Sequence, residues 1–281
     1  MKSPNTIART IAATLLCLAA FAAASFAATN PLNEPQGLAV SSNGDLYVAN
    51  SGDSNILVFG PSYSTLPALT IIQGVSRPSG VAFDTQGNLW VSNCGADSIT
   101  EYINGVQSAS ATITDGILAP QAIAIDGLDD LRVENNNSNV TVYGPPISFA
   151  IPSTLLETLT LSSPIYGISV GGGLFAWGSG TVVSYSGASR LLRTGDSFYY
   201  LTYDSGFAMA SDAKGDVYVG NLDGTVKVQT VSGSYSQVLQ LNFIPSGIAI
   251  DSVRGRVYIA NFGGNSIAVY STAGKLLHTI E

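Results

Sequence analysis

Charged residues are scarce in this sequence, and so are the residues on which many catalytic sites depend. Asp, Glu, Lys and Arg make up 11% of the 281 residues, and the one histidine is His278. A histidine zinc site, a Ser-His-Asp triad or a His-dependent lyase needs more histidine, or needs it near the active centre. The sequence also has no P-loop, Cys-x-x-Cys or dinucleotide-binding fingerprint. It therefore gives no support to the common metal, nucleophile and nucleotide chemistries.

Basic residues are the scarcer of the two charge types. Eleven Lys and Arg stand against nineteen Asp and Glu, which gives a formal net charge of −8. An acidic surface repels the phosphate backbone of nucleic acids and the anionic surface of membranes. We therefore predict no nucleic-acid partner and no membrane association of the mature chain.

The amino terminus has the pattern of a secretory signal peptide. Lys2 and Arg9 precede an apolar run from Ile11 to Phe26, and Ser25-Phe26-Ala27 places small residues where a signal peptidase reads. The run of about 16 residues is shorter than the roughly 20 that span a bilayer, which makes a retained anchor the weaker alternative. We predict a signal peptide at 1–27 and a mature domain at 28–281, in the periplasm or outside the cell.

Removal of the leader would leave a more acidic chain with one cysteine. Loss of Lys2 and Arg9 would move the net charge from −8 to −10 (−8 − 2). Cys17 would leave with the leader, so Cys94 would have no partner for an intrachain disulfide. The apolar core must then supply the stability of the fold. As a separate prediction, we expect the protein to be a monomer.

The mature sequence repeats itself with a period near 42 residues. A glycine, or the alanine that stands in for it, recurs at intervals of 43, 42, 45, 39 and 41 residues. These anchors are Gly37, Gly80, Ala122, Gly167, Gly206 and Gly247. A period of 40–45 residues built of short strands is typical of propeller blades.

Each copy contains apolar, β-branched strands separated by turns rich in Gly, Asn, Asp and Ser. The clearest copy has strands at Ile248–Ile250, Val257–Ala260 and Ile267–Tyr270, and an outer strand at Leu276–Ile280. Outer strands are less regular, and in the fourth copy we predict one at Leu191-Leu192. No useful helical periodicity follows the leader. The predicted fold is all-β, a six-bladed β-propeller with four antiparallel strands per blade, closed by packing of its first and last blades.

The repeat unit Pro-x-Gly-(Ile/Val/Leu)-Ala-(Val/Ile/Phe)-Asp, followed by Gly-(Asn/Asp)-(Leu/Val)-Tyr-Val-Ala-Asn, resembles the NHL repeat. The best matches are Pro35–Phe59, Pro78–Tyr102 and Pro245–Tyr270. Where the family usually has Asp at the end of the second strand, this chain has Asn, at Asn50, Asn93, Asn135, Asn221 and Asn261. The resemblance implies a propeller. It does not choose an activity, because such propellers include binding modules, lyases, lactonases and strictosidine-synthase-like proteins.

Two sets of residues are candidates for ligand contact at the channel. The first set enters the first strands and varies from copy to copy: Gln36, Ser79, Gln121, Tyr166, Ser205 and Ser246. Variation on a regular frame is typical of ligand contacts, although ordinary loop variation is an equal alternative. The second set is the ring of asparagines. We interpret it as structural, with Asn bonding to turn backbone, because a ligand site normally breaks symmetry.

The third copy departs most from the repeat. Arg132 and Glu134 replace an aromatic and a small residue, and they share one face of a strand. Such charges must be paired or open to the channel or rim. Asp126, Asp129 and Asp130 could help to hold Ca²⁺, but a solvated acidic turn with a surface ion pair is the preferred interpretation.

The aromatic cluster Phe198, Tyr199, Tyr200 and Tyr203 could be a sugar platform, but we expect it to be blade packing. Our functional hypothesis is a secreted binding or scaffold module with a protein or small polar ligand at one rim of the channel. No cofactor is required, although Ca²⁺ is possible. The alternative is a hydrolase or lyase of the strictosidine-synthase or lactonase type that uses a metal in the channel.

Overall fold

The computed structural model describes residues 30–62, 69–72, 74–103, 109–136, 139–144, 155–160, 165–170, 174–178, 181–185, 200–202, 206–230 and 234–281. The strands all belong to one compact unit, Pro31–Glu281. No helix within the described ranges is both long and apolar enough to cross a membrane.

The strands pair into antiparallel four-stranded sheets, which are numbered 1 to 6 in chain order. In each sheet the strands follow one another both along the chain and across the sheet. A short 3-10 helix, Ser51–Asp53, follows β2. The strands are, in sheet 1, β1 Pro35–Val40, β2 Leu46–Asn50, β3 Asn55–Phe59 and β4 Leu69–Ile72; in sheet 2, β5 Pro78–Phe83, β6 Leu89–Asn93, β7 Ser98–Tyr102 and β8 Ala111–Ile113; in sheet 3, β9 Pro120–Ile125, β10 Leu131–Asn135, β11 Asn139–Tyr143 and β12 Leu155–Thr160; in sheet 4, β13 Ile165–Val170, β14 Leu174–Gly178, β15 Thr181–Tyr185 and β16 Tyr200–Thr202; in sheet 5, β17 Gly206–Ser211, β18 Val217–Asn221, β19 Thr225–Gln229 and β20 Tyr235–Gln240; in sheet 6, β21 Gly247–Asp251, β22 Arg256–Asn261, β23 Ser266–Ser271 and β24 Leu276–Ile280.

The first strands of the sheets meet around a common centre. Each contacts the first strand of the next sheet, and β21 contacts β1, so that the contacts close into a ring. Glycine makes this approach possible. A methyl group added at Gly37 would lie 2.6 Å from the carbonyl oxygen of Ser79, and one added at Gly80 would lie 2.7 Å from that of Gln121. These two anchors are glycine because backbones of neighbouring sheets meet there.

Apolar side chains fill the spaces between neighbouring sheets. Val48 of β2 packs in a cluster with Tyr258 and Val269 of sheet 6. The next residue, Ala49, packs on the opposite face with Val81 of sheet 2. Side chains alternate between the two faces of a strand, and both faces are covered, which explains why the inner strands are apolar throughout.

The prediction of six equivalent four-stranded blades is wrong at sheet 4. Five sheets follow the repeat through all four strands, and the outer strand of sheet 6 is Leu276–Ile280, as the sequence predicted. In sheet 4 the outer strand was predicted at Leu191-Leu192, which lies outside the described residues, and the strand that pairs with β15 is Tyr200–Thr202. Edge strands have few contacts to fix their position, and residues 186–199 separate these two strands. The chain therefore forms five regular propeller blades and one sheet that departs from the repeat.

Sheets 6 and 1 close the ring without exchanging a strand, as the sequence predicted. All four strands of sheet 6 come from Gly247–Ile280. The hydroxyl of Ser246 donates to the carbonyl oxygen of Pro35 at 2.8 Å, and the backbone N–H of Glu34 donates to Oδ1 of Asn265 at 2.9 Å. Closure therefore combines apolar packing with hydrogen bonds between the two ends of the unit.

Candidate functional site

A cavity of about 840 Å³ lies at the end of the channel where the first strands begin. Four of the six candidates at the first strands line it, together with Glu134 of the third copy: Gln36, Ser79, Gln121, Ser246 and Glu134. They come from four different sheets or their entry segments, because every first strand enters the ring at the same end. The topology therefore brings together residues that are far apart in the sequence.

Two of these residues, Ser79 and Ser246, also hold neighbouring sheets together. The hydroxyl of Ser79 donates to the carbonyl oxygen of Pro120 at 2.6 Å, and that of Ser246 donates to Pro35 in the same way. Each bond joins the start of one sheet to the start of the next. These two contacts could not be predicted from the sequence, because it shows that the residues differ between copies but not which backbone groups they face.

Gln121 is held at the wall of the cavity by two hydrogen bonds. Its Nε2 donates to Sγ of Cys94 at 3.3 Å and to the carbonyl oxygen of Ala119 at 3.4 Å. Gln121 and Gln36 are both half-buried. Amide side chains can donate and accept, so these two residues offer polar contacts to a molecule in the cavity.

Glu134 lies on β10 at the position where β2 and β22 carry Ala49 and Ala260. Glu134 is 1% exposed and lines the cavity. Oε2 accepts a hydrogen bond from the backbone N–H of Ala122 at 3.2 Å. The pairing of β9 with β10 shifts register between Val133 and Asn135, and such a bulge takes an amide out of the ladder. The carboxyl group satisfies an amide at this irregularity.

The electrostatics of Glu134 follow from its burial. Loss of water raises the pKa of Glu134 to about 8, and the hydrogen bond from Ala122 opposes this shift only in part. At neutral pH the side chain is therefore a protonated, uncharged acid. A buried acid with a strongly raised pKa at the wall of a cavity is a feature that functional sites share.

Arg132, the other unusual residue of β10, does not line the cavity. Its Nη1 lies 2.8 Å from Oδ2 of Asp126 and 3.2 Å from the carbonyl oxygen of Asp130. The pair is largely buried in the turn that joins β9 and β10, at the end of these strands away from Glu134. The two residues share a face of the strand, but the long Arg side chain turns toward the opposite end.

The acidic turn after β9 is a structural element. Oδ1 of Asp126 accepts from the backbone N–H groups of Leu128 and Asp130. Asp129 accepts from the backbone N–H and the hydroxyl of Thr85, both at 2.7 Å, and thereby joins sheet 3 to sheet 2. The preferred interpretation of a solvated acidic turn with a surface ion pair is therefore right about the pair and wrong about its surroundings, because Arg132 and Asp130 are buried. Within the described ranges, no three side chains of His, Cys, Asp or Glu come together to hold a metal ion.

The asparagines make structural hydrogen bonds, but three of them bond outside the turn between the second and third strands, where the sequence placed their partners. Three members accept, through Oδ1, a hydrogen bond from a backbone N–H 17 positions earlier, in the segment that leads into the same sheet. The pairs are Asn50 with Asn33, Asn93 with Ser76, and Asn135 with Leu118. Each side chain therefore fastens the entry segment to the end of the second strand. Asn261 bonds as the sequence predicted, because its Oδ1 accepts from the N–H of Gly264 in the turn between β22 and β23, and it also lines the cavity.

Apolar side chains form a rim around the cavity on sheets 5 and 6, and none of them was among the residues predicted from the sequence. Leu222 and Phe262 follow the last residue of β18 and β22, and Phe243 and Ile244 lie in the segment before β21. Leu222 is 39% exposed and Ile244 is 50% exposed. The sequence did contain a signal for Leu222 and Phe262. An apolar residue directly after the Asn that ends a second strand lies outside the sheet, so it cannot be explained by packing within the sheet.

Several proposed residues cannot be placed in this site. The side chain of Tyr166 and the whole of Ser205, Phe198, Tyr199 and Tyr203 lie outside the described residues. Tyr200 is described through its backbone alone, as the first residue of β16. Their predicted roles stay predictions.

Comparison with known sequences identifies one segment of the chain. A family model described as NHL repeat matches residues 32–59, which contain β1, β2 and β3. No curated protein sequence matches the chain.

Comparison with solved structures identifies the fold. Virginiamycin B lyase from Staphylococcus aureus superposes with a TM-score of 0.59 at 13% identity, over 86% of this chain and 83% of that one. A chain of the nidogen/laminin complex gives 0.63 at 18% identity, over 78% and 85%. Hydrazine synthase of Kuenenia stuttgartiensis gives 0.62 at 17% identity, over 86% and 84%. At these identities the likeness concerns the fold alone.

Proposed function

This protein is an NHL-repeat-like β-propeller, and we propose that it is a binding module that holds a small, largely apolar molecule in the cavity at one end of its channel. The cavity of about 840 Å³ lies within the size range of small-molecule sites. Its wall is mainly apolar, with a few polar side chains, which is the usual composition of such sites. The fold supports a binding or scaffold role in general, and the cavity supports this specific one.

The observation that carries the proposal is the carboxyl group of Glu134 in this wall. Burial of an acid destabilises the folded state, and Ala49 and Ala260 show that the repeat does not need one there. Residues that break a local rule without a gain in stability concentrate at functional sites. Glu134 is therefore best explained by contact with a ligand.

The exposed rim supports the same proposal. Leu222, Ile244 and Phe262 extend the apolar wall to the mouth of the cavity. A ligand that enters would remove this apolar surface from water, which is the main driving force for binding of apolar molecules. A protein partner would use the same rim without filling the cavity.

Nile red, an uncharged dye that fluoresces in apolar surroundings, tests the proposal. We expect saturable binding of one dye per chain, weakened at least several-fold by Ile244→Ser at the rim. Val253→Ser is the matched control, because Val253 is 90% exposed in the turn between β21 and β22, at the opposite end of these strands. Absence of saturable binding, or equal weakening by both variants, would overturn the proposal.

One observation favours the alternative of a hydrolase or lyase. A carboxyl group with a pKa of about 8 is suited to general acid–base chemistry at neutral pH. The form of this alternative that uses a channel metal predicts that Ca²⁺ raises the melting temperature by several degrees and that EDTA reverses the shift. An unchanged melting temperature would remove that form.

We further propose that the protein is exported. The support is the sequence pattern of residues 1–27 described above. Expression of the full chain in a bacterial host should yield a mature protein that begins at Ala28 and is recovered from the periplasm or medium. Amino-terminal sequencing of that product checks the cleavage site, and recovery of an intact Met1 terminus from the cytoplasm would contradict the proposal.

A further inference from the structure

The two oxygens of the Glu134 carboxyl group have different roles. Oε2 accepts the N–H of Ala122 at 3.2 Å, and this is the hydrogen bond that the side chain makes within the described part of the chain. An oxygen that accepts from a backbone N–H is the less suitable of the two to carry a proton. In the protonated acid the hydrogen therefore sits on Oε1, the oxygen left for a molecule in the cavity.

No positive charge in the described wall favours the ionised form of this acid. The cavity-lining residues that the structure describes include no Lys, Arg or His. Arg132, two residues away on the same strand, directs its guanidinium to Asp126 at 2.8 Å. Among the described residues of the wall, Glu134 therefore has no cation beside it.

The strands packed against β10 add no described charge either. β9 and β11 contain no charged residue, and the one titratable residue of β13 is Tyr166, whose side chain lies outside the described part. Burial is consequently the largest influence on the carboxyl group of Glu134, and it raises the pKa of this group to about 8. An uncharged acid in an apolar wall is a strong hydrogen-bond donor, because a hydrogen bond is electrostatically stronger in surroundings of low dielectric constant.

We infer that Glu134 acts as an uncharged hydrogen-bond donor, and that the ligand is an uncharged apolar molecule with an acceptor oxygen such as a ketone, ester or amide carbonyl. This inference rests on the proposed binding function and assigns its ligand class. Gln36 and Gln121 line the same cavity and offer further amide groups to such a ligand. A ligand with an anionic group would be repelled when the acid ionises.

Two probes of the same shape test the donor role. Benzophenone carries a carbonyl oxygen where 1,1-diphenylethylene carries a methylene group, and each is titrated as a competitor of Nile red on the full chain. One buried hydrogen bond corresponds to a preference of about fivefold to tenfold for benzophenone. The preference should hold at pH 6 and 7 and decline above pH 8, where the acid loses its proton.

Variants of Glu134 separate a donor from a charge. Glu134→Gln keeps an N–H donor and should keep the preference for benzophenone while removing its dependence on pH. Glu134→Leu has a similar size without a donor, and it should bind both probes with equal affinity. Circular dichroism and thermal melting of each variant confirm that the compared proteins are folded.

The outcomes distinguish this inference from the proposed function. Equal competition by both probes in the native protein would overturn the inference and leave the binding function intact. Benzyltrimethylammonium, a permanent cation, serves as a third competitor. If it competes best, improves above pH 8 and is lost in Glu134→Gln, the site takes cations and the inference is wrong. Failure of Nile red itself to bind would instead overturn the proposed function.

Discussion

Ser92 and Glu134 occupy equivalent positions in neighbouring sheets, and each accepts a backbone N–H from the residue 12 positions earlier. Oγ of Ser92 accepts from Gly80 at 2.7 Å, and Oε2 of Glu134 accepts from Ala122 at 3.2 Å. A serine completes this contact with a small neutral group. Glu134 completes it with a carboxyl group that also reaches the cavity, so its extra length and acidity are not explained by the backbone contact.

The acidity of Glu134 predicts a pH dependence of stability. The pKa in the folded state is about 8 against an ordinary value of 4.5, so the folded protein keeps a proton that the unfolded chain loses. The contribution of Glu134 to stability is therefore greatest below pH 4.5 and is lost between pH 4.5 and about 8. The loss is on the order of 5 kcal/mol.

Glu134→Gln measures this contribution directly, because glutamine does not titrate. Urea unfolding of both proteins at pH 5, 7 and 9 should show the variant gaining stability relative to the native chain as the pH rises. The other carboxyl groups are common to both proteins, so the difference isolates Glu134. A constant difference across this range would show that the group is ionised in the folded state.

Ser246→Ala should weaken the closure of the ring. The hydroxyl donates to Pro35 at 2.8 Å and lies 3.1 Å from the carbonyl oxygen of Ala260, so its removal leaves acceptors in partly buried surroundings. We expect a loss of about 1–2 kcal/mol in the free energy of unfolding. Ser42→Ala, at an exposed turn position, is the control and should change little. Equal stability of the two variants would mean that the hydroxyl of Ser246 contributes nothing to the closure.

Asn93→Ala should destabilise the protein through its entry segment. Asn93 accepts from the N–H of Ser76 at 3.1 Å and donates to Oγ1 of Thr100 at 3.1 Å, and it is 2% exposed. The variant leaves these groups without that partner, at a cost of about 2–3 kcal/mol in the free energy of unfolding. Asn242→Ala, at an exposed position, is the matched control. Amide hydrogen exchange of Ser76 should also accelerate, and unchanged exchange would contradict the proposed contact.

Gly80→Ala should disturb the contact between sheets 2 and 3. The added methyl group would lie 2.7 Å from the carbonyl oxygen of Gln121 and 2.8 Å from Oγ of Ser92, and the first of these is backbone that cannot rotate away. We expect a loss of about 1–3 kcal/mol. Gly60→Ala is the control, because nothing lies within 4 Å of a methyl group there. Thermal melting of the two variants should differ by several degrees, and similar melting would show that the first strands can move apart.

The repeat made most of the fold predictable from the sequence. Gly37, Gly80 and Gly247 marked the start of successive sheets, and the apolar pairs after them marked strands that are covered on both faces. This pattern of glycines and apolar residues is local and recurs in several copies. The fold can therefore be predicted even where one copy is weak. It failed at the outer strand of sheet 4, where few contacts fix the strand and the sequence offered Leu191-Leu192 instead of Tyr200–Thr202.

The candidate site was predictable in part. Gln36, Ser79, Gln121, Glu134 and Ser246 were singled out because they vary on a regular frame or break its pattern, and they all line the cavity. The same reasoning could not separate Arg132 from Glu134. Two residues on one face of a strand can still point to opposite ends of it.

The sequence by itself determined that the chain forms a ring of short-stranded sheets, because strand periodicity and the spacing of the glycines are properties of neighbouring residues. Only the tertiary structure decided what each polar residue does. Ser246 meets the carbonyl of Pro35, Asn93 meets the N–H of Ser76, and Glu134 meets both Ala122 and the cavity. These partners are brought together by closure of the ring and by the bulges in its first strands. Hydrogen bonding and desolvation depend on the distances between atoms in the folded protein. These distances cannot be read from the order of residues along the chain.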